Sequence, residues 1–532
     1  MAIRYLFKEI IEDATHIPTI ILAIGYCLFW FELYVVRLPQ GHSSWLAWGI
    51  VLTVIGGTVF CQRKTIKHTY TAVHTLWQIQ PTVFKVLIAL IGILGIGYLL
   101  IVCYAASFPP HLPQENDALN YHIMLPRQHL LRHSFAHISW SVFDLLLLPL
   151  DYALSPFILA TSLPNKFVHF FFFLGILLMA VNIINRLTRG NYKRTALVCA
   201  ALMASHFISI QAGTAMLDMV MLYCFLASVH SLMEGRMALA AIEAAMFVWS
   251  KSFMPFQMGV VILCMLLIVT LARRNGYQYV EFEQRTAAQW KKFWTVFSAV
   301  SVLIAGPFLF KSFYYAGTPF YPFGIGLFAP LYQYTPEHWH GIILRAQECL
   351  SMKDAYGHGR SCVDFLKHFW LMAVPEQGVN NAFDYPLGVV YLFTLIPFMA
   401  YLAGAIRKRQ LPILSLVIIL FWGTWWFGSQ QARFLIVPVS LMIIIAIAFM
   451  PRISTIFVCL LVGALSLEMV SLIHAHRADW GRPARAVLRD KDRILLAMSV
   501  KDKATVDLDY PDVAFAPFAV NVRSNASMYV IP

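Results

Sequence analysis

Long apolar segments separated by short polar ones dominate the chain. An α-helix needs about 20 mostly apolar residues to cross a bilayer. The pattern therefore predicts an all-α polytopic membrane protein with about 11–13 spanning helices. The predicted spans lie at roughly 17–37, 45–62, 83–106, 166–186, 195–211, 215–233, 237–250, 255–272, 293–313, 386–405, 411–427, 432–450 and 453–473.

Composition and charge agree with this class and indicate an orientation. The chain is 59% hydrophobic and only 13% charged, and its formal net charge is +13. With a cytoplasmic N-terminus, the basic clusters between spans fall on the cytoplasmic face, as the positive-inside rule requires. The net charge is thus a topology signal rather than a sign of nucleic-acid binding. These clusters are Arg63, Lys64 and Lys67; Arg186, Arg189, Lys193 and Arg194; Arg273 and Arg274; and Arg407, Lys408 and Arg409. One group falls on the opposite, outer face: Arg477, Arg482, Arg485 and Arg489.

The orientation divides the chain into three regions. Residues 1–82 hold two N-terminal helices, residues 83–473 form the main transmembrane module, and residues 474–532 form a small external tail. Within the module, two long external segments lie at 107–165 and 314–385. Cys349 and Cys362 both lie in the second, so an oxidising periplasm favours a disulfide between them, although their spacing leaves the pairing open.

Charged residues from separate segments are predicted to converge on the outer face. Ionisable groups at the edge of the hydrocarbon region are costly and often functional. The first external segment also carries Glu115, His122 and Arg127. Apolar residues after position 117 predict an amphipathic helix along the membrane surface. The residues predicted to converge are Asp117, Asp218, Lys251, Lys311 and Arg433.

Each of these residues has a purely structural alternative. Asp117 is equally suited to cap the helix that follows it, and Asp218 to pair with a buried cation. A Lys or Arg at a helix end often extends to lipid headgroups, and histidines in such loops, such as His122, are usually solvated. A site for a divalent metal stays open, but the sequence argues for it only weakly, because no tight ligand pair is visible.

Six segments resemble the GT-C fold glycosyltransferases that use polyprenyl-phosphate sugars, in particular the bacterial dolichyl-phosphate-mannosyltransferase-like proteins. The segment DALNYH with the PRQHL that follows it is similar to their first external loop. The other segments occur in the same order, scattered over residues 107–445. These five segments are AMLDMVMLYCFLAS, the WSKSFMP turn, KSFYYAGTPFYPF, DYPLGVVYLF and SQQARFLIVPVSL.

The resemblance implies a GT-C-like bundle and an inverting transfer of a sugar. Asp117 matches the family's general base, with Glu115 as the alternative acid. Arg433 and Lys251 would meet the phosphate of the polyprenyl donor, with Lys311 behind them. Asp218 would bind a sugar hydroxyl or hold a cation. Other substrate-binding candidates in the first external loop are Tyr121, His122 and Arg127.

The predicted function is therefore a glycosyltransferase in a bacterial inner membrane, with its active site facing the periplasm. Its partners would be a polyprenyl-phosphate-linked sugar, a glycan, lipid or protein acceptor, and membrane lipids, without nucleic acid. Two other classes stay open: a ligase or polymerase of lipid-linked glycans, and a transporter or flippase. A transporter commonly has internal repeats and polar sites at the midplane, whereas these charges cluster at one edge.

Overall fold

The computed structural model describes residues 14–35, 46–53, 82–108, 110, 117–138, 141, 143–158, 166–282, 285–351, 356–357, 359–373, 383 and 386–476. It is almost entirely helical and confirms an all-α polytopic membrane protein. Among the described residues, eight helices are long and apolar enough to cross a membrane.

The helices follow the hydrophobic segments closely. The first part of the chain contains α1 Ile17–Tyr34, α2 Thr82–Ser107, α3 Met124–Arg132, α4 Pro149–Ile158, α5 Phe167–Thr188, α6 Tyr192–Met203, α7 His206–Ala212, α8 Asp218–Glu234 and α9 Met237–Val248. The second part contains α10 Met254–Arg274, α11 Ala287–Ala316, α12 Pro336–Ser351, α13 Cys362–Leu371, α14 Val389–Arg407, α15 Ile413–Phe427, α16 Ile436–Phe449 and α17 Thr455–His476.

Several predicted spans differ in detail from the helices that form. The predicted span 195–211 consists of α6 and α7, which meet at an angle of 73°. The spans predicted at 215–233, 237–250 and 411–427 are the shorter helices α8, α9 and α15, with 17, 12 and 15 residues. Of the span at 45–62, residues 46–53 are described and are helical.

Two helices form the centre of the bundle. Every residue of α16 from Ile436 to Ala448 is buried, and α8 is buried along almost its whole length. By contrast, α10 exposes most of its apolar side chains, as expected of a helix that faces lipid. Since α8 also carries Asp218, its central position keeps an ionisable side chain out of the hydrocarbon.

The first external segment packs onto the bundle. A π-helical turn at Ala118–His122 leads into α3, where Arg127 and His129 are buried and Leu131 is exposed. The predicted helix forms, but its buried side includes charged and polar residues and is not purely apolar. These residues require partners inside the protein, because a buried polar group without a hydrogen bond is costly.

Close packing at Gly25 fixes α4 against α1. A Cβ atom at Gly25 would lie 1.9 Å from the Ala153 carbonyl oxygen and 2.7 Å from the Phe157 ring. A small residue here lets the two helix backbones approach, as is common in membrane helix pairs. Gly25 therefore determines where α4 and its acidic residue, Asp151, can sit.

We expect Gly25→Ala to lower the apparent melting temperature in detergent. Overpacking costs about 1–3 kcal/mol, which exceeds the gain of about 1 kcal/mol in helix propensity. Gly92→Ala is the matched control, because nothing lies within 4 Å of a Cβ at that helical position. An equal or higher melting temperature for Gly25→Ala than for Gly92→Ala would contradict this packing.

The loop between α10 and α11 joins the α14–α15 connection through two short strands. Strand β1, Gln278–Val280, pairs in parallel with β2, Gln410–Pro412. The Glu281 carboxylate then accepts hydrogen bonds from the Tyr401 hydroxyl at 2.9 Å and the Leu414 N–H at 2.6 Å. Burial raises the pKa of Glu281 to about 7, against the lowering effect of these two donors.

Stability is expected to fall as pH rises toward neutrality because of Glu281. Its carboxyl holds a proton in the folded protein at pH values where the unfolded chain, with a pKa of about 4.3, has lost it. The contribution of protonated Glu281 to the stability of the fold is therefore present below about pH 4.3 and is lost as the pH rises to about 7. Melting curves between these limits should show a weaker decline for Glu281→Gln than for wild type. Parallel curves would exclude this role.

The predicted disulfide and the predicted C-terminal tail have different outcomes. Cys349 and Cys362 are free cysteines in the structure, so the predicted disulfide is not formed. The tail from residue 477, with the basic group that opposes the topology, lies outside the described residues, as do most of residues 1–82.

Candidate functional site

An ion pair between Asp117 and Arg433 forms the centre of the site. Arg433 Nη1 donates to Asp117 Oδ2 at 2.5 Å, across 316 positions of sequence. The Asp117 side chain is 26% exposed and the Arg433 side chain is 14% exposed, so the pair remains accessible. Asp117 precedes the π-helical turn but makes no capping hydrogen bond, which rules out a simple cap.

Local structure around Arg433 directs its guanidinium. Arg433 lies in a short 3₁₀ turn, Ala432–Leu435, directly before the central helix α16. Its Nε donates to the side-chain oxygen of Gln431 at 2.9 Å. The Gln431 carbonyl accepts a hydrogen bond from the Trp425 indole at 2.7 Å. This arrangement holds the guanidinium on a rigid element.

A second pair joins Asp218 and Lys251. Lys251 lies in the turn between α9 and α10, and its ammonium group donates to Asp218 at the first residue of α8. The ammonium group also lies 5.0 Å from the centre of the Phe434 ring. The Arg433 guanidinium lies 5.4 Å from the same ring. Phe434 thus contacts both cations, and it brings the two pairs together.

The third pair joins His122 to Asp151, a residue that the sequence analysis missed. His122 Nδ1 donates to Asp151 Oδ1 at 2.8 Å, and both side chains are buried. Burial raises the pKa of Asp151, against the lowering effect of His122. The sequence signal for this residue was a lone acid inside the apolar segment LPLDYALSPF.

These pairs interact as one cluster, which we call the outer cluster: Asp117, Tyr121, His122, Asp151, Asp218, Lys251 and Arg433. Burial, the largest single effect, raises the pKa of Asp117, but the Arg433 charge and smaller lowering effects together outweigh it, so that the pKa falls to about 2. His122 and a hydrogen bond from Tyr121 add to this decrease. The carboxylate is therefore ionised at neutral pH and, while paired, weakly basic.

Lys311 belongs to a separate cluster. Its ammonium group donates to Asp144 Oδ1 at 2.8 Å and to His129 Nε2 at 3.0 Å. His137 donates to the other Asp144 oxygen at 2.9 Å, and the Ile138 N–H donates to it at 2.6 Å. Lys311 therefore anchors the first external segment to α11 and does not join the pairs around Arg433.

The histidines of this second cluster are not solvated. His129 is fully buried, and its Nδ1 donates to the Ser134 carbonyl at 2.7 Å. A carbonyl can only accept, so Nε2 of the neutral ring carries no proton: it can accept from Lys311, and although it lies 2.8 Å from Asp144 Oδ1 it donates nothing to that carboxylate. Burial and the Lys311 charge lower the pKa of His129, which favours this neutral form. The solvated alternative is thus wrong for His129, as it is for His122.

Arg127, Glu115 and a possible metal site are the remaining predictions for this region. Arg127 is buried in α3, and burial lowers its pKa to about 10, so it stays cationic at neutral pH. Glu115 lies outside the described residues. Within the described part of the chain, no group of three or more His, Cys, Asp or Glu side chains is arranged to hold a metal ion.

An apolar groove of about 490 Å³ lies between α14 and α17. Its lining includes Phe393, Cys459, Leu460 and Gly463, and no member of the outer cluster. The lining includes no acidic, basic or histidine side chain, so the groove lacks the charged groups that the outer cluster provides.

Searches of protein-family models, curated proteins and solved structures found no significant match to this chain. The likeness to GT-C enzymes thus stays a prediction from the sequence segments. The geometry offers three carboxyl groups, two strong cations and a histidine at one end of the central helices. Such a set can bind an anion and accept a proton at the same place.

Proposed function

We propose that the protein is an inverting glycosyltransferase that uses a polyprenyl-phosphate sugar as donor. The observation that supports this best is the outer cluster, in which an accessible carboxylate, Asp117, touches the cation that can bind a phosphate, Arg433. The acceptor is a hydroxyl group of an envelope glycan, lipid or protein. The proposed location is the bacterial inner membrane, with the cluster facing the periplasm.

The proposed reaction is one direct displacement. The acceptor oxygen forms a bond to the anomeric carbon while the bond from that carbon to the donor phosphate oxygen breaks. The electron pair of the broken bond leaves with the polyprenyl phosphate, and the acceptor proton passes to Asp117. A single displacement inverts the anomeric centre, and a positioned base contributes roughly 10²–10⁴-fold.

The cations stabilise the leaving group. A guanidinium binds phosphate oxygens bidentately and an ammonium binds them as a point charge, so Arg433 and Lys251 suit complementary parts of one phosphate. Both lie against Phe434. Asp218 keeps Lys251 in place through its ion pair, and Tyr121 and His122 lie beside Asp117, where they could contact the sugar.

The proposal is tested with purified protein in nanodiscs and a panel of polyprenyl-phosphate sugars. Release of free polyprenyl phosphate and the anomeric configuration of the product are measured. Turnover of one donor with inversion would support the proposal, and retention would exclude direct displacement. If folded protein binds no donor, the proposal fails. Transfer only from lipid-linked oligosaccharides would instead identify a ligase or polymerase.

A further inference from the structure

We infer that Arg433 exchanges partners during the reaction: it holds Asp117 in the empty site and releases it when the donor phosphate binds. The inference rests on the proposed function and adds a control step to it. The base would then become free only when a donor is present, which would limit proton transfer in the empty site.

The geometry of the pair makes an exchange feasible. The Asp117 carboxylate is held by Arg433 Nη1 through one of its oxygens, Oδ2. The pair is partly exposed rather than sealed in the core. Arg433 Nε is held by Gln431, so the guanidinium can keep its place on the 3₁₀ turn while its partner changes. The exchange requires that the hydrogen bond between Arg433 and Asp117 breaks.

The cations around the pair favour a phosphate over the single carboxylate. The donor phosphate is a diester that carries one negative charge, as a carboxylate does, and its two unesterified oxygens can bind a guanidinium together; the polyprenyl phosphate that leaves is a monoester and carries more charge. Lys251 lies close enough to interact electrostatically with both Arg433 and Asp117. A phosphate at Arg433 would therefore also be attracted by Lys251, whereas of these two cations it is Arg433 that donates a hydrogen bond to Asp117.

The exchange also accounts for the weak basicity of Asp117 in the empty site. Its pKa of about 2 results because the charges and hydrogen bonds of Arg433, His122 and Tyr121, with Arg433 the largest of them, together outweigh burial. Once Arg433 is neutralised by phosphate, burial is no longer outweighed and the pKa rises toward the range that suits a general base. The charged or titratable groups that face Asp117 are Tyr121, His122, Lys251 and Arg433.

The first test measures binding of a polyprenyl phosphate that carries no sugar, so that turnover plays no part. In the exchange, Asp117 competes with the phosphate for Arg433. Asp117→Asn and Asp117→Ala should therefore bind this lipid about tenfold more tightly than wild type, because the competing state is removed. Two substitutions are used so that one poorly folded variant does not decide the result.

A double-mutant cycle assigns the effect to Arg433. Arg433→Gln should weaken binding, and Asp117→Asn should have no further effect in that background. Glu337→Gln is the charge control, because it removes one negative charge from an exposed residue of the external helix α12. It should leave the affinity within about twofold of wild type, since charges exposed to solvent are screened.

The outcomes separate the exchange from the proposed function. Tighter binding by the Asp117 variants that disappears in Arg433→Gln supports the exchange. Equal or weaker binding by folded Asp117 variants, with lipid bound by wild type, overturns the exchange and leaves the glycosyltransferase proposal intact. If neither wild type nor the Asp117 variants bind the lipid, both proposals fail.

Discussion

Asp117→Asn is expected to reduce turnover of the sugar donor by roughly 10²–10⁴-fold, the usual contribution of a positioned general base. An amide cannot accept the proton of the acceptor hydroxyl, so the attacking oxygen loses its base. The donor should still bind, because Arg433 and Lys251 remain. The loss should therefore appear in kcat, with KM unchanged or lower.

Single-turnover release of polyprenyl phosphate in nanodiscs measures this effect. Asp117→Glu is the conservative comparison: it keeps a carboxylate on a longer side chain and should retain part of the rate. Glu337→Gln, on the exposed face of α12, should behave like wild type. Equal turnover by wild type and Asp117→Asn would remove Asp117 from the mechanism and direct attention to Glu115.

Lys311→Met is expected to destabilise the protein by about 3–5 kcal/mol, as when one partner of a buried ion pair is removed. The Asp144 carboxyl group is fully buried and would lose its cation. The Lys311 charge is the main cause that lowers the pKa of Asp144 well below its usual range, against the raising effect of burial. Without it, the first external segment would lose its anchor on α11.

Thermal unfolding in detergent tests this prediction. Lys291→Met on the same helix is the control, because Lys291 is exposed and its loss should change stability little. The double variant Lys311→Met with Asp144→Leu should recover part of the stability, since replacing a whole buried pair by apolar residues costs less than breaking it. A melting temperature for Lys311→Met equal to that of Lys291→Met would show that the pair contributes nothing.

Much of the site was predictable from the sequence, but its connections were not. The placement of Asp117, Asp218, Lys251 and Arg433 at one end of the bundle follows from span lengths and the order of charges. The same reasoning placed Lys311 with them, yet Lys311 pairs with Asp144. Span counting fixes depth in the membrane, whereas it gives no information about position around the bundle axis.

Asp144 and Asp151 are not among the residues predicted to form the site, although both lie in the first predicted external segment. Asp144 lies in SVFDLLLL and Asp151 in LPLDYALSPF. Each is a lone acid in an apolar stretch, and such an acid needs a buried partner. Loop histidines lie against both acids: His137 donates to Asp144, with His129 beside it, and His122 donates to Asp151. A search for lone acids near loop histidines would have found both pairs.

The sequence by itself determined the membrane class, the approximate spans and the group of ionisable residues at one end of the bundle. These follow from hydrophobic length and charge, which are local properties that add along the chain. Only the tertiary structure decided which acid meets which base, such as Asp117 with Arg433 across 316 positions. The reason is physical: an ion pair forms at distances of about 3 Å, and helix packing sets such distances, whereas hydrophobic periodicity does not encode them.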